Sequence, residues 1–256
     1  MFFFRLKIII FICIFFTTES FAQTMFEKKN SFILIKGGEF IFGNDEGEKN
    51  EKPQTSESIE NFYINMYEIS NEIYSEYVSE SGSRNSYFYN HEYLGKDNYP
   101  VVGVSWQDAN DFCDFYNASL PTEKQYERAT RGIEGNLYSW GNEEPSPNLV
   151  NMGSNECCNP DDRDGYEATS PIGSFLLGKT KEGVFDLTGN VWEWMDGWYH
   201  SYESNNTEQN KSFRVLRGGS WKNNAWKLRS TYRMAYKGDF RHAANGGFRC
   251  VQKSIK

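Results

Sequence analysis

Five cationic side chains lie in one short segment near the end of the chain, RGGSWKNNAWKLRSTYR, residues 217–233. The segment also holds two tryptophans and two glycines, but it has no cysteine, histidine or carboxylate. Guanidinium groups bind carboxylates through paired hydrogen bonds. Arg217, Arg229 and Arg233, with the later Arg249, are therefore candidates either for recognising an acidic ligand or for bracing acidic loops of the same chain.

Few other residues could perform redox or metal chemistry. The three histidines, His91, His200 and His242, are widely separated, so they do not form an evident set of metal ligands. Cys157 and Cys158 are adjacent, and two interpretations remain open for them: a redox pair, or disulfide partners that brace a loop.

The start of the chain has the pattern of an export signal. Arg5 and Lys7 precede the apolar run IIIFICIFF, and small residues in SFA resemble a cleavage site, so residues 1–22 are predicted to be a signal peptide. An uncleaved membrane anchor is the alternative, although the run is short for a span. We therefore expect a mature domain over residues 23–256 with no membrane span, located in the periplasm or secreted.

Charge and cysteine content limit the partners and the bonds that we expect. The formal net charge is −8, which argues against nucleic acid or an anionic membrane surface as partner. Removal of the leader leaves four cysteines, and in an oxidising compartment an even number favours disulfides.

Local patterns predict short strands and three capped helices. FILIKGGEFIFG predicts two strands on either side of a turn at Gly37 and Gly38, and NFYINMYEI predicts another strand. Helices are expected after Ser70, after Ser105 and after Thr122, where the last two begin with capping-box patterns. In the second helix Cys113 lies on the apolar face.

A long stretch after Gly132 has little periodicity and many oxygen donors, including the run NECCNPDDRDGYE. Such loops inside a domain are often functional or are held by something other than secondary structure. The donors indicate a site for a hard metal ion. A solvated acidic loop is the alternative.

Several separated motifs together resemble one family, the formylglycine-generating enzyme (sulfatase-modifying factor) family. They follow the family's order and spacing across nearly the whole mature chain: GGEFIFG, YEISNEIYSEYV, YPVVGVSWQDANDFCDFYN, LPTEKQYERATRG, YSWG, GVFDLTGNVWEW, RGGSW and GGFRC. The resemblance implies an α+β fold, a C-type-lectin-like variant low in regular secondary structure and commonly stabilised by calcium.

The resemblance also implies particular residues. Two calcium sites are expected, the first formed by Asn151, Met152, Asp164 and Tyr166, the second by Asp186, Gly189, Val191 and Glu193. Cys113 and Cys250 match positions that form a disulfide in the family. The peptide groove of the family would include Ser220, Trp221, Arg229 and Arg233.

One part of the family pattern is missing. Oxidase members carry two cysteines shortly after GGS, and these bind Cu(I) as soft thiolates. Here the corresponding stretch, WKNNAWKLRSTYR, has neither cysteine, so copper is not expected.

Two classes of function therefore remain. The leading hypothesis is an exported, calcium-stabilised binding or maturation-partner module that has lost the oxidase site and contacts a protein or peptide in the cell envelope. The alternative is an oxidoreductase, either one that converts a sulfatase cysteine to formylglycine or one with a related activity on a secreted metabolite.

Overall fold

The computed structural model describes residue 24 and residues 26–154, 162–202, 211–241 and 244–253. The predicted signal peptide lies outside these ranges, as do Cys157, Cys158 and His242. Within the described ranges, no helix is long and apolar enough to cross a membrane.

Four short strands occupy the N-terminal part of the chain. They are β1 (Phe32–Ile35), β2 (Gly38–Phe42), β3 (Thr55–Ile59) and β4 (Phe62–Asn65). β1 pairs antiparallel with β4, and β2 pairs antiparallel with β3. The two strands predicted around Gly37 and Gly38 are present, but they belong to different sheets and do not form a hairpin with each other.

The backbone around Gly37 explains this difference. The amide of Gly37 donates a hydrogen bond to the side chain of Asn61 at 2.8 Å, and a Cβ at this position would lie 2.3 Å from the carbonyl oxygen of Ile59. The chain therefore passes directly against the β3–β4 connection, which only glycine permits. This close approach directs β1 and β2 to separate partners, information that a local hairpin pattern does not contain.

Three α-helices begin where the capping residues predict. They are α1 (Asn71–Ser81), α2 (Trp106–Phe115) and α3 (Glu123–Arg131). Reciprocal capping boxes are formed by Ser105 with Asp108 and by Thr122 with Gln125. These boxes satisfy amide groups that a helix leaves unpaired at its start.

The second half of the chain supplies another sheet. Its strands are β5 (Trp192–Trp198), β6 (Arg214–Arg217), β7 (Arg233–Tyr236) and β8 (Gly246–Gly247), in the order β7-β6-β5-β8 with β8 parallel to β5. The last strand, β9 (Val251–Lys253), does not belong to this sheet. It pairs with β4 in a separate three-stranded sheet of order β1-β4-β9. Short 3-10 helices occur at Lys49–Glu51 and Ala225–Leu228.

An aromatic core joins α1 and α2 to the four-stranded sheet. Phe112 is fully buried and contacts the rings of Tyr74 and Phe248, while Trp192 and Trp194 complete the cluster from β5. The predicted disulfide between Cys113 and Cys250 lies in this core and is confirmed. Cys250 directly precedes the first residue of β9.

Residues 132–154 and 162–191 contain no helix and no strand, only an isolated bridge between Tyr138 and Gly141. Yet Val150, Val184 and Leu187 in these stretches are almost wholly buried. Buried backbone of this kind needs partners other than a regular ladder. Several hydrogen bonds to this buried backbone occur beside the predicted calcium residues, for example at Asn151 and Asn190.

Candidate functional site

Arg217, at the end of β6, is fully buried and is held by acidic residues of α3. Its guanidinium group forms ion pairs with Glu127 and, at 3.3 Å, with Glu123. It also donates to the carbonyl oxygens of Ser230 and Tyr232 at 3.0 and 3.2 Å. Arg217 therefore joins the segment 217–233 to the helix opposite it.

Arg233 is bound by the same helix. Two of its nitrogens lie 2.6 and 2.7 Å from the carboxylate oxygens of Glu123. Burial by itself would raise the pKa of Glu123, but the guanidinium groups of Arg233 and Arg217 outweigh burial and lower that pKa. Glu123 is thus an anion held between two cations.

Arg229 has a comparable arrangement near the protein surface. It pairs with Glu51 at 2.5 Å, and its guanidinium carbon lies 3.6 Å from the centre of the Trp226 ring. Trp226 itself is 47% exposed. Arg229 and Arg233, two residues of the predicted groove, are both buried and are engaged by glutamates of the same chain.

The other two residues of the predicted groove are also enclosed. Ser220 is fully buried; its hydroxyl donates to the side-chain oxygen of Asn223 at 2.9 Å and accepts from the amide of Asn245 at 3.1 Å. Trp221 is 8% exposed, and its indole donates to the carbonyl of Ala244 at 3.4 Å. These four side chains do not form an open recognition surface.

The structure brings together the residues of the first predicted calcium site. The carboxylate of Asp164 accepts hydrogen bonds from the amides of Met152 at 3.2 Å and Tyr166 at 2.9 Å. Asn151 is 1% exposed and donates to the carbonyl of Ala168 at 2.8 Å. Its side-chain oxygen is buried and has no hydrogen-bond partner in the described part of the chain.

A buried acceptor without a donor costs free energy unless something binds it. Calcium is coordinated by carboxylate, amide and carbonyl oxygens, so the free oxygen of Asn151 fits a hard cation. The residues that would hold it are Asn151, Met152, Asp164 and Tyr166.

The two predicted sites lie back to back. The amide of Asn190 donates to the carbonyl of Asn151 at 3.0 Å. A Cβ at Gly189, where φ is +84°, would lie 2.5 Å from the same carbonyl oxygen. Gly189 therefore lets the loop of the second site pass against the loop of the first.

Carboxylates dominate the surroundings of the second predicted site. Both oxygens of Glu193 accept hydrogen bonds from Arg249 at 2.8 Å. Asp186 accepts from the amide of Gly173 at 2.6 Å. Glu68, which the sequence analysis did not select, is fully buried there and accepts from Asn190 at 2.7 Å.

The charge in this region is not balanced by Arg249 alone. Burial, followed by repulsion from Asp186 and Glu193, raises the pKa of Glu68 well above its ordinary value. Burial also raises the pKa of Asp186 to about 6. A cation would neutralise this excess of negative charge, and carboxylate oxygens that accept from Arg249 retain lone pairs for a metal.

These carboxylates do not form a metal cage by themselves. Within the ranges that the structure describes, no group of three or more His, Cys, Asp or Glu side chains is placed to hold a metal ion. Calcium at the second site would therefore depend on the carbonyl oxygens of Gly189 and Val191 beside Asp186 and Glu193.

Comparison with known proteins gives the family. The family model of the sulfatase-modifying factor enzyme 1-like domain matches residues 17–254. The chain belongs to this family. The resemblance inferred from the sequence motifs is thereby confirmed.

Relatives of this sulfatase-modifying factor domain include proteins named as inactive. The inactive C-alpha-formylglycine-generating enzyme 2 of Bos taurus is 37% identical over 160 residues, which cover 60% of this chain and 50% of that protein. The protein of the same name from Mus musculus is 28% identical, covering 88% and 86%. Serine/threonine-protein kinase pkn1 of Chlamydia caviae is 29% identical; the match covers 88% of this chain but only 38% of the kinase. The chain thus spans half or less of the bovine and chlamydial relatives.

Solved structures show the same fold. PvdO from Pseudomonas aeruginosa superposes with a TM-score of 0.73 at 20% identity, covering 87% of this chain and 94% of that one. Treponema denticola variable protein 1 gives a TM-score of 0.71, also at 20% identity, covering 88% and 95%. The predicted α+β, C-type-lectin-like fold of the family is therefore confirmed.

Sequence reasoning missed the acidic partners of the site. Glu51, Glu123 and Glu127 pair with the arginines, and Glu68 lies beside the second predicted calcium site. Glu68 gave a local signal, as the lone carboxylate in the run NFYINMYEI, which is apolar and aromatic apart from two asparagines. Glu127 also pairs with Arg131, four residues later in α3. Glu51, Glu123 and Glu127 lie far in sequence from Arg217, Arg229 and Arg233, so no spacing rule could connect these pairs.

Proposed function

We propose that the protein is an exported, calcium-stabilised binding module of the periplasm or the secreted fraction that lacks formylglycine-generating oxidase activity. Its partner would be a protein or peptide of the cell envelope. The observation that carries this proposal is the environment of Ser220, the last residue of the GGS motif. In oxidase members, the two copper-binding cysteines follow shortly after this motif. Here the serine hydroxyl is held between the side-chain amides of Asn223 and Asn245.

The chemistry of the segment supports this proposal. A Cu(I) centre needs soft ligands placed together, and the sequence has no cysteine between Cys158 and Cys250. Cys113 and Cys250, the two cysteines in the described ranges, are bonded to each other in the core. In the same segment Leu228 is fully buried beside Tyr138 and Val150, so this part of the chain contributes to packing.

The calcium sites would give such a module its shape. Calcium would join loops that lack helices and strands, and it would neutralise buried carboxylates there. The relatives named inactive formylglycine-generating enzymes show that the family includes domains without the oxidase. That precedent supports a non-oxidase role for this chain.

A direct assay tests the proposal. The purified protein is incubated with Cu(I), oxygen and a sulfatase-type cysteine peptide, and the peptide mass is followed beside an active formylglycine-generating enzyme as positive control. We expect no aldehyde product. The Cys157→Ser, Cys158→Ser variant is the matched control for the adjacent cysteines.

Formation of formylglycine in this assay would overturn the proposal, whether or not the cysteine substitutions abolish it. Catalytic formation of formylglycine that survives the double substitution would require a ligand set elsewhere in the chain. Activity that disappears with the double substitution would place redox chemistry at Cys157 and Cys158.

A further inference from the structure

A second cationic position lies at the opposite end of β6 from Arg217. Arg214 begins this strand, and its guanidinium carbon lies 3.4 Å from the ring centre of Trp106 and 3.6 Å from that of Trp198. The guanidinium plane is therefore enclosed on both faces by indoles. Such stacking removes water from the faces and leaves the N–H groups at the edge of the plane.

The enclosing residues are themselves held in place. The indole of Trp106 donates to the carbonyl of Met195 at 2.9 Å, and Trp198 lies directly opposite Arg214 in the β5–β6 register. One guanidinium nitrogen donates to the carbonyl of Gly197 at 3.2 Å. The orientation of the remaining guanidinium donors is thus fixed by a helix and two strands before any ligand binds.

The cavity beside this stack has an excess of positive charge. Its volume is about 390 Å³, and its lining includes Arg214, Lys211 and Lys237 with one carboxylate, Asp239. In the part of the chain that the structure describes, none of the three cations forms an ion pair. This differs from Arg217, Arg229, Arg233 and Arg249, each of which is paired with a glutamate.

The lack of a paired carboxylate also affects the pKa of Arg214. Burial lowers the pKa of its guanidinium group below the ordinary value, and the more distant carboxylate of Asp196 opposes burial only in part. Arginine remains charged in proteins in spite of such a shift. A bound anion would supply the missing compensation.

We propose that the cavity between Trp106, Trp198 and Arg214 binds a tetrahedral oxyanion with two negative charges, either a free ion or the phosphate group of a larger ligand. The stacked guanidinium would donate two hydrogen bonds from its edge, and Lys211 and Lys237 would contact the remaining oxygens. Three cations and one carboxylate match a dianion better than a single carboxylate group. The volume leaves room for part of the molecule that carries the anion.

Titration with defined anions tests this site. Binding of inorganic phosphate, inorganic sulfate and phenyl phosphate is measured by calorimetry and by the fluorescence of the flanking tryptophans, with acetate at equal ionic strength as the planar monoanion. We expect the dianions to bind and acetate to bind much more weakly. Tighter binding of phenyl phosphate than of phosphate would indicate a phosphorylated ligand, and equal binding a free ion.

Substitutions locate the binding. Arg214→Gln should weaken phosphate binding about tenfold or more, because it removes charge-assisted hydrogen bonds. The double variant Lys211→Gln, Lys237→Gln keeps Arg214 stacked between Trp106 and Trp198 and should also weaken phosphate binding. If Arg214→Gln does not fold, this double variant tests whether the cavity is the binding site. Lys181→Gln, at an exposed pair with Glu134, is the matched control and should bind as the wild type does.

Three results would overturn this proposal. The first is that neither phosphate nor sulfate binds measurably at about 10 mM, a concentration at which even a weak specific site would be occupied. The second is that acetate and phosphate bind equally well. The third is that both cavity variants bind phosphate with unchanged affinity. None of them bears on the oxidase assay, because the cavity contains no residue of the Ser220 environment.

Discussion

At the scale of single residues, buried arginine–glutamate pairs define the candidate site. The sequence showed the arginines and offered two roles for them, recognition or bracing. It could not choose between these roles, because Glu123 and Glu127 precede Arg217 by most of a hundred residues and Glu51 lies still farther from Arg229. Only the tertiary structure shows that every one of these cations already has a carboxylate.

Glu123 offers a test that depends on pH. Replacing a member of a buried ion pair leaves its partners uncompensated, so Glu123→Gln should reduce the free energy of unfolding by about 3–5 kcal/mol at neutral pH. The folded-state pKa of Glu123 is lower than its unfolded value, so its contribution is present above the unfolded pKa and is lost as the pH falls. The difference between wild type and variant should therefore shrink as the pH falls below 4.5, the ordinary glutamate pKa.

Urea unfolding at several pH values measures this difference. Glu134→Gln is the control, because Glu134 lies at the surface, where it pairs with the exposed Lys181, and its loss should have little effect. A wild-type-to-variant difference that stays constant from neutral to acid pH would show that the charge of Glu123 does not stabilise the fold.

At the scale of elements, capping residues made the helices predictable and the strands were harder. Ser105 with Asp108 and Thr122 with Gln125 are local signals, and the helices begin where these residues lie. Strand pairing depends on distant segments, such as β4 with β9, and on a close approach at Gly37. Residues 132–154 and 162–191 contain no helix or strand and gave no element signal. Their oxygen donors indicated a hard metal ion, but only the family resemblance assigned particular residues to two sites.

Calcium should stabilise those irregular loops. We expect the melting temperature to fall on chelation, because a ligand that binds only the folded state adds about 2.7 kcal/mol at a hundredfold excess over its dissociation constant. Asp164→Ala should remove part of the calcium response, since Asp164 joins Met152 and Tyr166. Asp164 is a better choice than Glu193, whose loss would also leave Arg249 unpaired.

Differential scanning calorimetry with excess calcium and with chelator provides the measurement. Asp162→Ala removes an exposed carboxylate from the same loop and serves as the matched control. Superimposable melting curves in calcium and chelator would rule out both sites, and an equal loss of response in the two variants would rule out the specific role of Asp164.

At the scale of the whole molecule, one covalent link joins distant parts of the chain. The disulfide between Cys113 and Cys250 closes a sequence separation of 137 residues. On the chain-entropy account, a loop of this length stabilises the folded state by about 4–5 kcal/mol. The double variant Cys113→Ala, Cys250→Ala should lose an amount of this order, measured by urea unfolding.

Reduced wild-type protein supplies the comparison for this variant. It lacks the link but keeps both sulfur atoms in the core, so it separates the loop effect from the loss of packing. Equal stability of oxidised and reduced wild type would show that the link contributes nothing to the folded state.

The position of β9 has a consequence for the order in which the protein can be made. β4 is the middle strand of its sheet, and its edge opposite β1 pairs with residues 251–253. Arg249, two residues earlier, neutralises Glu193. While the chain is being synthesised, the N-terminal sheet therefore keeps an open edge, and the carboxylates around Glu193 remain unneutralised until residues 249–253 emerge. The β1-β4-β9 sheet and the ion pair between Arg249 and Glu193 can therefore be completed only after residues 249–253 have been synthesised.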